Sequence, residues 1–356
     1  MDKLNKLRQK IDRIDEQILH LLNQRGKVVR AIGKIKSRLN ESFYASYREK
    51  SILQRMNKLN SGPLSTESIE NIFREIFHAC RALEQILKVA YLGPEATFTH
   101  LAARKVFGSP ANYLPLKDIR DVFMAVEKNH ADFGVVPVEN TTEGVVTHTL
   151  DMFIDSPLTI SAEINLTIEQ CLLSKSSDLK QITTVYSHPQ AIAQCSHWLR
   201  ENLPNARLIE CSSTSAAALT AAKDRHAAAI ASRLAASLYN LEIVRQGIED
   251  NPENRTRFLV IGKNVNTRPS GYDKTSVMFS IKDRVGALHD MLVPFKKYNI
   301  NLTKIESRPT KKRAWEYIFF LDFLGHMNNA RIKKALSELS RNCVFLKILG
   351  SYPRAD

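Results

Sequence analysis

Residues 254–261 read Asn-Arg-Thr-Arg-Phe-Leu-Val-Ile, and they place a hydroxyl, two cations and an aromatic ring where a loop enters an apolar strand. Such a start is often a cap with solvated charges, and this alternative stays open for the segment taken alone. The segment ends a region, residues 89–262, in which short apolar runs alternate with helical stretches. That alternation is typical of an α/β domain. The strands expected in it are 89–92, 133–138, 183–186, 227–230 and 258–261.

The chain before this region has helical periodicity. Apolar residues recur at intervals of three and four through residues 3–38, which corresponds to about ten helical turns. Two further helices are expected at 47–59 and 66–87, separated by a break at 60–63. A helix as long as the first needs a partner helix to cover its apolar stripe. We therefore expect an all-α domain at 1–88 and a homodimer or larger homo-oligomer.

The chain after this region predicts a third domain, at residues 272–352. A polar stretch at 263–273 is typical of a linker. The elements expected after it run in the order βαββαβ, which is the ferredoxin-like arrangement. Pro294 falls inside the first helix of this domain, where proline is expected to cause a kink. The expected bounds are strand 275–281, helix 287–298, strands 301–307 and 315–322, helix 329–339 and strand 344–349.

Composition excludes several classes of protein. No apolar run has the length needed to cross a bilayer, and the polar, amphipathic start of the chain gives no sign of a signal peptide. The five cysteines lack Cys-x-x-Cys spacing, so we expect neither a disulfide framework nor a zinc site, and a cytoplasmic location. The net charge of +14 is concentrated at the two ends, without a nucleic-acid-binding motif. Small anionic substrates explain cationic pockets as well as nucleic acid does.

Four strings in the middle domain occur in a fixed order and carry a family resemblance. They are 91–95 (YLGPE), 135–141 (VVPVENT), 186–190 (YSHPQ) and 254–258 (NRTRF). In this order and spacing they resemble the prephenate dehydratases. The resemblance implies a periplasmic-binding-protein-like domain at 89–265, with two α/β lobes around a cleft, in which prephenate loses carbon dioxide and its ring hydroxyl. Because aromatisation drives that reaction, the resemblance implies no cofactor and no metal.

The same resemblance implies roles for individual residues. Thr256 is expected to donate a proton to the departing hydroxide, and Arg257 to bind the substrate anion or position the loop. The other residues expected to line the cleft are Glu139, Asn140, Thr141 and Gln194. A capping or turn role stays open for Glu139, and His188 is expected to cap a helix. Ala96 departs from the pattern, because the family usually has glycine there.

The first domain resembles the all-helical chorismate mutases. The resemblance rests on the pattern Leu7-Arg8-x-x-Ile11-x-x-Ile14-Asp15, followed by Arg25, Lys36, Arg48-Glu49 and Glu84-Gln85. It implies that Lys36 and Glu84 contact the ether oxygen of chorismate and that Glu49 binds its ring hydroxyl. It also implies that Arg8, Arg25 and Arg48 bind the carboxylates and their surroundings. For each of these charges singly, a solvated position on a helix remains the alternative.

Helix geometry tests part of this set independently. Arg25 and Lys36 are 11 residues apart, which places them within about 20° of one face and about 16 Å apart along the axis. Two long side chains at that spacing can hold one small dianion. Arg8 lies about 25 Å from Arg25 and is turned by about 100°. It can therefore serve only a partner chain's site, which is how the resembled family uses it.

The third domain resembles the ACT domains that bind phenylalanine. The matching strings are Gly286-Ala287-Leu288 and Glu306-Ser307-Arg308-Pro309. Gly286 opens a helix, where free N–H groups can bind the carboxylate of an amino acid, although an ordinary turn glycine remains the alternative. The effector-binding residues that the resemblance implies are Gly286, Ala287, Leu288, Glu306 and Ser307.

Together the three domains resemble the bifunctional chorismate mutase–prephenate dehydratases. The expected partners are chorismate, prephenate and L-phenylalanine as an inhibitor, with no nucleic acid and no membrane. Two other interpretations stay open: a dehydratase that prefers arogenate, and a sensor that binds an amino acid without chemistry.

Overall fold

The computed structural model describes residues 2–39, 41–263, 265, 267–282, 284–309 and 317–355. Its first domain is a set of three helices, α1 (Asp2–Leu39), α2 (Ser46–Leu59) and α3 (Thr66–Glu84). The third helix ends three residues earlier than expected, because the backbone at Gln85 is already extended toward the next strand. None of the helices in the described ranges is both long and apolar enough to cross a membrane.

The second half of α1 packs closely on α3. A Cβ atom on Gly33 would lie 3.1 Å from the Cβ of Glu84, so the absence of a side chain at Gly33 brings the two backbones together. The first half of α1 has no such neighbour among the residues that the structure describes, and its apolar side chains are exposed. These include Leu4, Leu7, Ile11, Ile14 and Ile18.

The middle domain consists of two α/β lobes. The first lobe contains β1 (Lys88–Leu92), α4 (Phe98–Phe107), β2 (Asn112–Leu116), α5 (Ile119–Glu127), β3 (Phe133–Asn140), β4 (Gly144–Val145), α6 (Thr147–Asp155), β5 (Thr159–Thr167) and, from the far end of the domain, β11 (Arg255–Gly262). Its strands run in the order β2-β1-β3-β11-β5, with β4 on β3. The last strand, β11, is antiparallel to both of its neighbours, β3 and β5.

The second lobe is inserted between β5 and β11. It contains β6 (Cys171–Ser174), β7 (Thr184–Ser187), α7 (Pro189–Gln194), α8 (Ser196–Asn202), β8 (Arg207–Glu210), α9 (Thr214–Ala221), β9 (Ala227–Ala231), α10 (Arg233–Tyr239) and β10 (Glu242–Gln246). Its strand order is β10-β6-β9-β7-β8. The chain crosses between lobes at 168–170 and 247–254, and the two crossings are hydrogen-bonded: Ile168 N donates to Asn254 O at 2.8 Å and Ile248 N to Gln170 O at 3.1 Å.

Strand β11 is longer than its apolar run. The sequence predicts a strand at 258–261, whereas pairing with β3 extends the strand back to Thr256 and pairing with β5 extends it to Arg255. Thr256 and Arg257 therefore lie inside the sheet rather than in a loop. This matters for function because successive side chains of a strand point to opposite faces.

The third domain is ferredoxin-like, as expected. It consists of β12 (Asp273–Ser280), α11 (Ala287–Lys297), β13 (Leu302–Pro309), β14 (Tyr317–Leu324), α12 (Ala330–Asn342) and β15 (Phe345–Pro353), with strand order β13-β14-β12-β15. One sheet face packs on α11 and α12. The other face shares a core with the first lobe, where Met278, Phe320 and Leu349 join Phe153 and Ile160.

Candidate active sites

One cavity of the helical domain lies between its three helices. Five of the residues predicted from the sequence line it: Arg25, Lys36, Arg48, Glu49 and Glu84. Lys36 Nζ lies 2.9 Å from Glu84 Oε2. The Nη1 atom of Arg25 is buried and has no hydrogen-bond partner among the described residues. Because a buried cationic donor is normally paired, this atom marks a position for an anionic ligand.

Two of the predicted charged residues are exposed, whereas the other four are partly buried. Arg48 is exposed at the rim of the cavity. Arg8 is also exposed, and it is not among the residues that line the cavity. Its position agrees with the helix geometry, which excludes Arg8 from the cavity of its own chain.

Arg81 is a buried residue that the sequence did not single out. It is 6% exposed, forms an ion pair with Glu49, and donates from Nη1 to Val106 O at 3.1 Å. Its guanidinium also lies 4.9 Å from the ring centroid of Tyr44. Burial alone would lower the pKa of Arg81, but Glu49 and Tyr44 outweigh it and raise the pKa above its usual value. Arg81 thus holds Glu49 in place and joins α3 to the middle domain; a lone cation on the apolar face of α3 is the signal that could have found it.

In the middle domain, Asn140 and Thr256 form a polar pair at the end of β3. The two residues are direct partners in the antiparallel register. Asn140 Nδ2 donates to Thr256 Oγ1 at 2.8 Å and to Asn254 Oδ1 at 2.9 Å. Because the threonine oxygen accepts the amide hydrogen, its own hydroxyl hydrogen can point to a ligand. Within the described ranges no acceptor is recorded for that hydrogen.

The two other predicted cleft residues are held by neighbouring polar groups. Thr141 Oγ1 accepts from Arg255 N at 2.9 Å and donates to Glu253 O at 3.4 Å, so its hydroxyl links β3 to the second crossing. Gln194 Oε1 accepts from Gln170 Nε2 at 3.2 Å. The Oε1 atom of Gln170 is itself buried and without a partner in the described part of the chain. Gln170 is thus a further candidate at the crossings, and no motif in the sequence marks it.

Glu139 and Arg257 are paired on the opposite face of the same two strands. They are register partners, and their side chains lie 3.9 Å apart. Because each is adjacent in sequence to Asn140 or Thr256, alternation turns both away from that pair. The geometry therefore does not bring Glu139 and Arg257 to the side of Thr256. The resemblance had implied that Glu139 lines the cleft and that Arg257 binds the substrate anion or positions the loop.

Arg257 contacts the third domain instead. Its Nη1 lies 2.6 Å from Asp322 Oδ2, its Nε lies 2.7 Å from Glu163 Oε2, and its Nη2 donates to Tyr352 OH at 3.0 Å. Burial alone would lower the pKa of Arg257, but Asp322, Tyr352 and Glu163 outweigh it and hold the pKa well above its usual value. Glu139 also contacts the third domain, where its Oε2 lies 2.9 Å from Lys304 Nζ.

The predicted effector residues lie near one end of the third domain's sheet. Gly286 has φ 75°, a left-handed conformation that favours glycine, and it caps α11. Ser307 is exposed on the edge strand β13 and pairs with Phe319, which pairs in turn with Phe279 near the end of β12. Glu306 points to the other side of β13, so it does not join Ser307 on one face.

Three protein-family models match the chain. Chorismate mutase type II matches residues 7–85, prephenate dehydratase matches 89–266, and the ACT domain matches 275–341. A protein of Aquifex aeolicus described as a bifunctional chorismate mutase/prephenate dehydratase is 50% identical over 359 residues, which cover 100% of this chain and 99% of that protein. The chain belongs to the bifunctional chorismate mutase/prephenate dehydratase family. A relative of the same description from Pseudomonas aeruginosa is 44% identical and covers 99% of this chain and 98% of its own.

A solved structure supports the fold of the dehydratase and ACT domains. The crystal structure of prephenate dehydratase from Arthrobacter aurescens in complex with L-Phe matches with a TM-score of 0.69 and 34% identity. The match covers 75% of this chain and 90% of that one. Together with the three helices of the first domain and the chorismate mutase match at 7–85, this match confirms the predicted fold class.

One departure from the family pattern, Ala96, lies in the loop at the start of the dehydratase domain. Ala96 has φ 63°, a conformation that favours glycine, which the family usually has at this position. The residue is fully buried between the lobes. Its carbonyl accepts from Ser232 Oγ of the second lobe at 2.7 Å, and its N–H donates to His100 Nδ1 at 3.1 Å. Burial, and then Arg104, lower the pKa of His100 to about 4, so the imidazole stays neutral and can accept this bond at neutral pH.

Proposed function

We propose that the protein converts chorismate to prephenate in its helical domain and prephenate to phenylpyruvate in its dehydratase domain. The observation that carries this proposal is that one chain contains two separate sites of matching chemistry. The first is a cavity in which the buried Nη1 atom of Arg25 has no hydrogen-bond partner among the described residues. The second is a threonine hydroxyl whose oxygen accepts from Asn140, which leaves its hydrogen available.

The mutase step is an intramolecular rearrangement, so the protein has to hold one conformer and stabilise charge on the ether oxygen. In the proposed arrangement Arg25 binds a carboxylate bidentately, with Arg48 at the rim. Lys36 and Glu84 face the ether oxygen, and Glu49 receives the ring hydroxyl while Arg81 holds it in position. No covalent bond to the protein is needed.

The dehydratase step breaks two bonds of prephenate. The bond from the ring to its carboxylate breaks, and its electron pair becomes part of the aromatic ring as carbon dioxide leaves. The ring hydroxyl departs as water when it receives the proton of Thr256 Oγ1, and that oxygen then takes up a proton from solvent. Asn140 orients that hydroxyl, and Gln194 and Thr141 are proposed to line the cleft.

A coupled assay tests the proposal directly. The purified protein is given chorismate, and prephenate and phenylpyruvate are followed separately. Formation of both in sequence is the expected result. Binding of phenylalanine without either product would favour the sensor interpretation. Faster turnover of arogenate than of prephenate would favour the arogenate-preferring alternative.

Replacing Glu84 by glutamine is expected to preserve mutase activity, because an amide also has an N–H group that can donate to the ether oxygen. Rates of prephenate formation from chorismate by the two proteins decide this. A large loss in the variant would mean that the site needs the carboxylate that pairs with Lys36 at 2.9 Å, and not a donor at this position.

We propose that L-phenylalanine inhibits the dehydratase by binding at Gly286 and Ser307. Ser307→Ala is expected to raise the half-inhibitory concentration of phenylalanine about tenfold, the effect of losing one good hydrogen bond. The test needs the full chain, because the ACT sheet shares a core with the dehydratase domain. Ser340→Ala, at an exposed position of α12, is the matched control. An unchanged response of the Ser307 variant would exclude Ser307 from the site.

We also propose a homodimer in which the exposed stripe of α1 packs on the same helix of a second copy. The support for this dimer is physical, because it is unfavourable to expose a contiguous apolar stripe to water. In such a dimer, Arg8 would reach the partner's mutase cavity. The cytoplasmic location remains a proposal that the five free cysteines support.

A further inference from the structure

Strands β3 and β11 of the dehydratase domain carry functionally different side chains on their two faces. On one face Asn140 and Thr256 form the proposed proton-donating pair. On the other face their chain neighbours Glu139 and Arg257 turn toward the ACT sheet. The inference drawn from this arrangement rests on the proposed dehydratase function.

The contacts between Arg257 and the ACT sheet form one connected network, which we call the interdomain clamp. It comprises Glu139, Glu163 and Arg257 of the dehydratase domain and Lys274, Ser276, Lys304, Asp322 and Tyr352 of the ACT domain. Glu163 lies 2.7 Å from both Arg257 Nε and Lys274 Nζ, and its side chain is fully buried. Asp322 also accepts from Ser276 Oγ at 2.5 Å. Each carboxylate therefore has cationic or hydroxyl partners, as buried charge requires.

The clamp reaches both catalytic positions from neighbouring ACT strands. Asp322 on β14 holds Arg257, next to Thr256, while Lys304 on β13 holds Glu139, next to Asn140. Lys304 and Asp322 are themselves register partners.

The same strands carry the proposed effector site. Ser307 on β13 is three residues beyond Lys304 and pairs with Phe319 on β14, which is three residues before Asp322. A shift of β13 or β14 at the effector end would therefore move both contacts of the clamp.

We propose that Arg257 and Glu139 are positioning residues through which the ACT sheet holds Thr256 and Asn140 in their donor geometry, and that phenylalanine inhibits by moving this clamp. Arg257 then contacts no substrate. Its contribution is to fix one strand position whose neighbour does the chemistry. A displacement of about 1 Å at such a position can cost up to about a hundredfold in rate.

Asp322→Asn tests the proposal in the full-length protein. It keeps the side chain's shape but removes the charge that Arg257 contacts. We expect the dehydratase kcat to fall about tenfold, with KM for prephenate changed less than about twofold, because positioning rather than binding is lost. Mutase activity should be unchanged, because it occurs in the helical domain, and thermal unfolding followed by circular dichroism reports whether the other two domains are folded.

Asp151→Asn is the matched control. Asp151 on α6 forms a separate interdomain ion pair, with Arg308 Nε at 3.0 Å, and it belongs to no strand that carries Asn140 or Thr256. Its replacement is expected to leave kcat within about twofold, the effect of weakening an ordinary partly exposed pair. Equal losses in the two variants would overturn the proposal. A raised KM at unchanged kcat in Asp322→Asn would also overturn it, because that pattern identifies Arg257 as a substrate ligand.

Tyr352→Phe is a milder second variant in case the loss of Asp322 prevents folding. It removes only the hydroxyl that accepts from Arg257 Nη2, and it should lower kcat about threefold with KM unchanged. An unchanged kcat in this variant, with Asp322→Asn unfolded, would count against the clamp.

Phenylalanine supplies the last measurement. Asp322→Asn should still bind phenylalanine by calorimetry but be inhibited by it less completely than the unchanged protein. Full inhibition in this variant would overturn the coupling. A complete absence of phenylpyruvate with the unchanged protein would instead overturn the proposed function, and the clamp with it. If the unchanged protein is active and Asp322→Asn and Asp151→Asn lose equal activity, only the clamp is overturned.

Discussion

Replacing Thr256 by alanine is expected to lower the dehydratase kcat by about two to four orders of magnitude, the range for loss of a positioned proton donor. The hydroxyl oxygen accepts from Asn140 at 2.8 Å, so its hydrogen is the one free to protonate the leaving hydroxide. Mutase turnover of chorismate should be unchanged, because it occurs in a different domain. Separate assays of prephenate and phenylpyruvate measure the two effects in one sample.

The conservative control is Thr256→Ser. It keeps the hydroxyl and loses only a methyl group, so most of the dehydratase activity should remain. Near-normal phenylpyruvate formation by the alanine variant would show that Thr256 is not the donor. A comparable loss in both variants would point to the methyl contact instead.

Replacing Arg25 by alanine is expected to have the second-largest effect, a loss of about two to three orders of magnitude in mutase kcat/KM, typical of removing a buried charged partner of a ligand. Its Nη1 atom is buried and unpartnered in the described structure, so the free enzyme loses little when the side chain is removed. The dehydratase should turn over added prephenate at the normal rate.

Arg30→Ala is the matched control for that experiment. It removes the same type of side chain from an exposed position on the same helix, turned away from Arg25 by about 140°. It should change mutase kcat/KM by less than about twofold, the usual range for an exposed charge. If both arginine variants lost activity equally, the loss would reflect damage to α1 and not the loss of a ligand contact.

The domain order and most elements could be predicted from the sequence because they depend on local periodicity. Helical spacing in the first domain and the βαββαβ order in the last need no knowledge of distant residues. The start of β11 could not be predicted, for the opposite reason. Thr256 and Arg257 are polar, and only their pairing with β3 and β5 keeps them in the sheet.

The candidate sites could be predicted in part. Arg25, Lys36 and Glu84 meet because helix geometry and Gly33 bring their faces together. The role of Arg257 could not be predicted, because its partner Asp322 is 65 residues away in another domain. The role of Arg81 could not be predicted for a similar reason, because its second contact, Val106 O, belongs to the neighbouring domain.

The alternation along β11 also limits how the length of this part of the chain can vary. Because side chains repeat every two residues, deleting one residue at the start of the strand would turn the hydroxyl toward the ACT sheet and the guanidinium into the cleft. Deleting two would preserve the faces but displace both groups by about 6.6 Å. No single substitution could repair either change. Insertions and deletions among relatives should therefore fall in the crossing at 247–254 and be absent from residues 255–262, so that Thr256 and Arg257 are inherited as one unit.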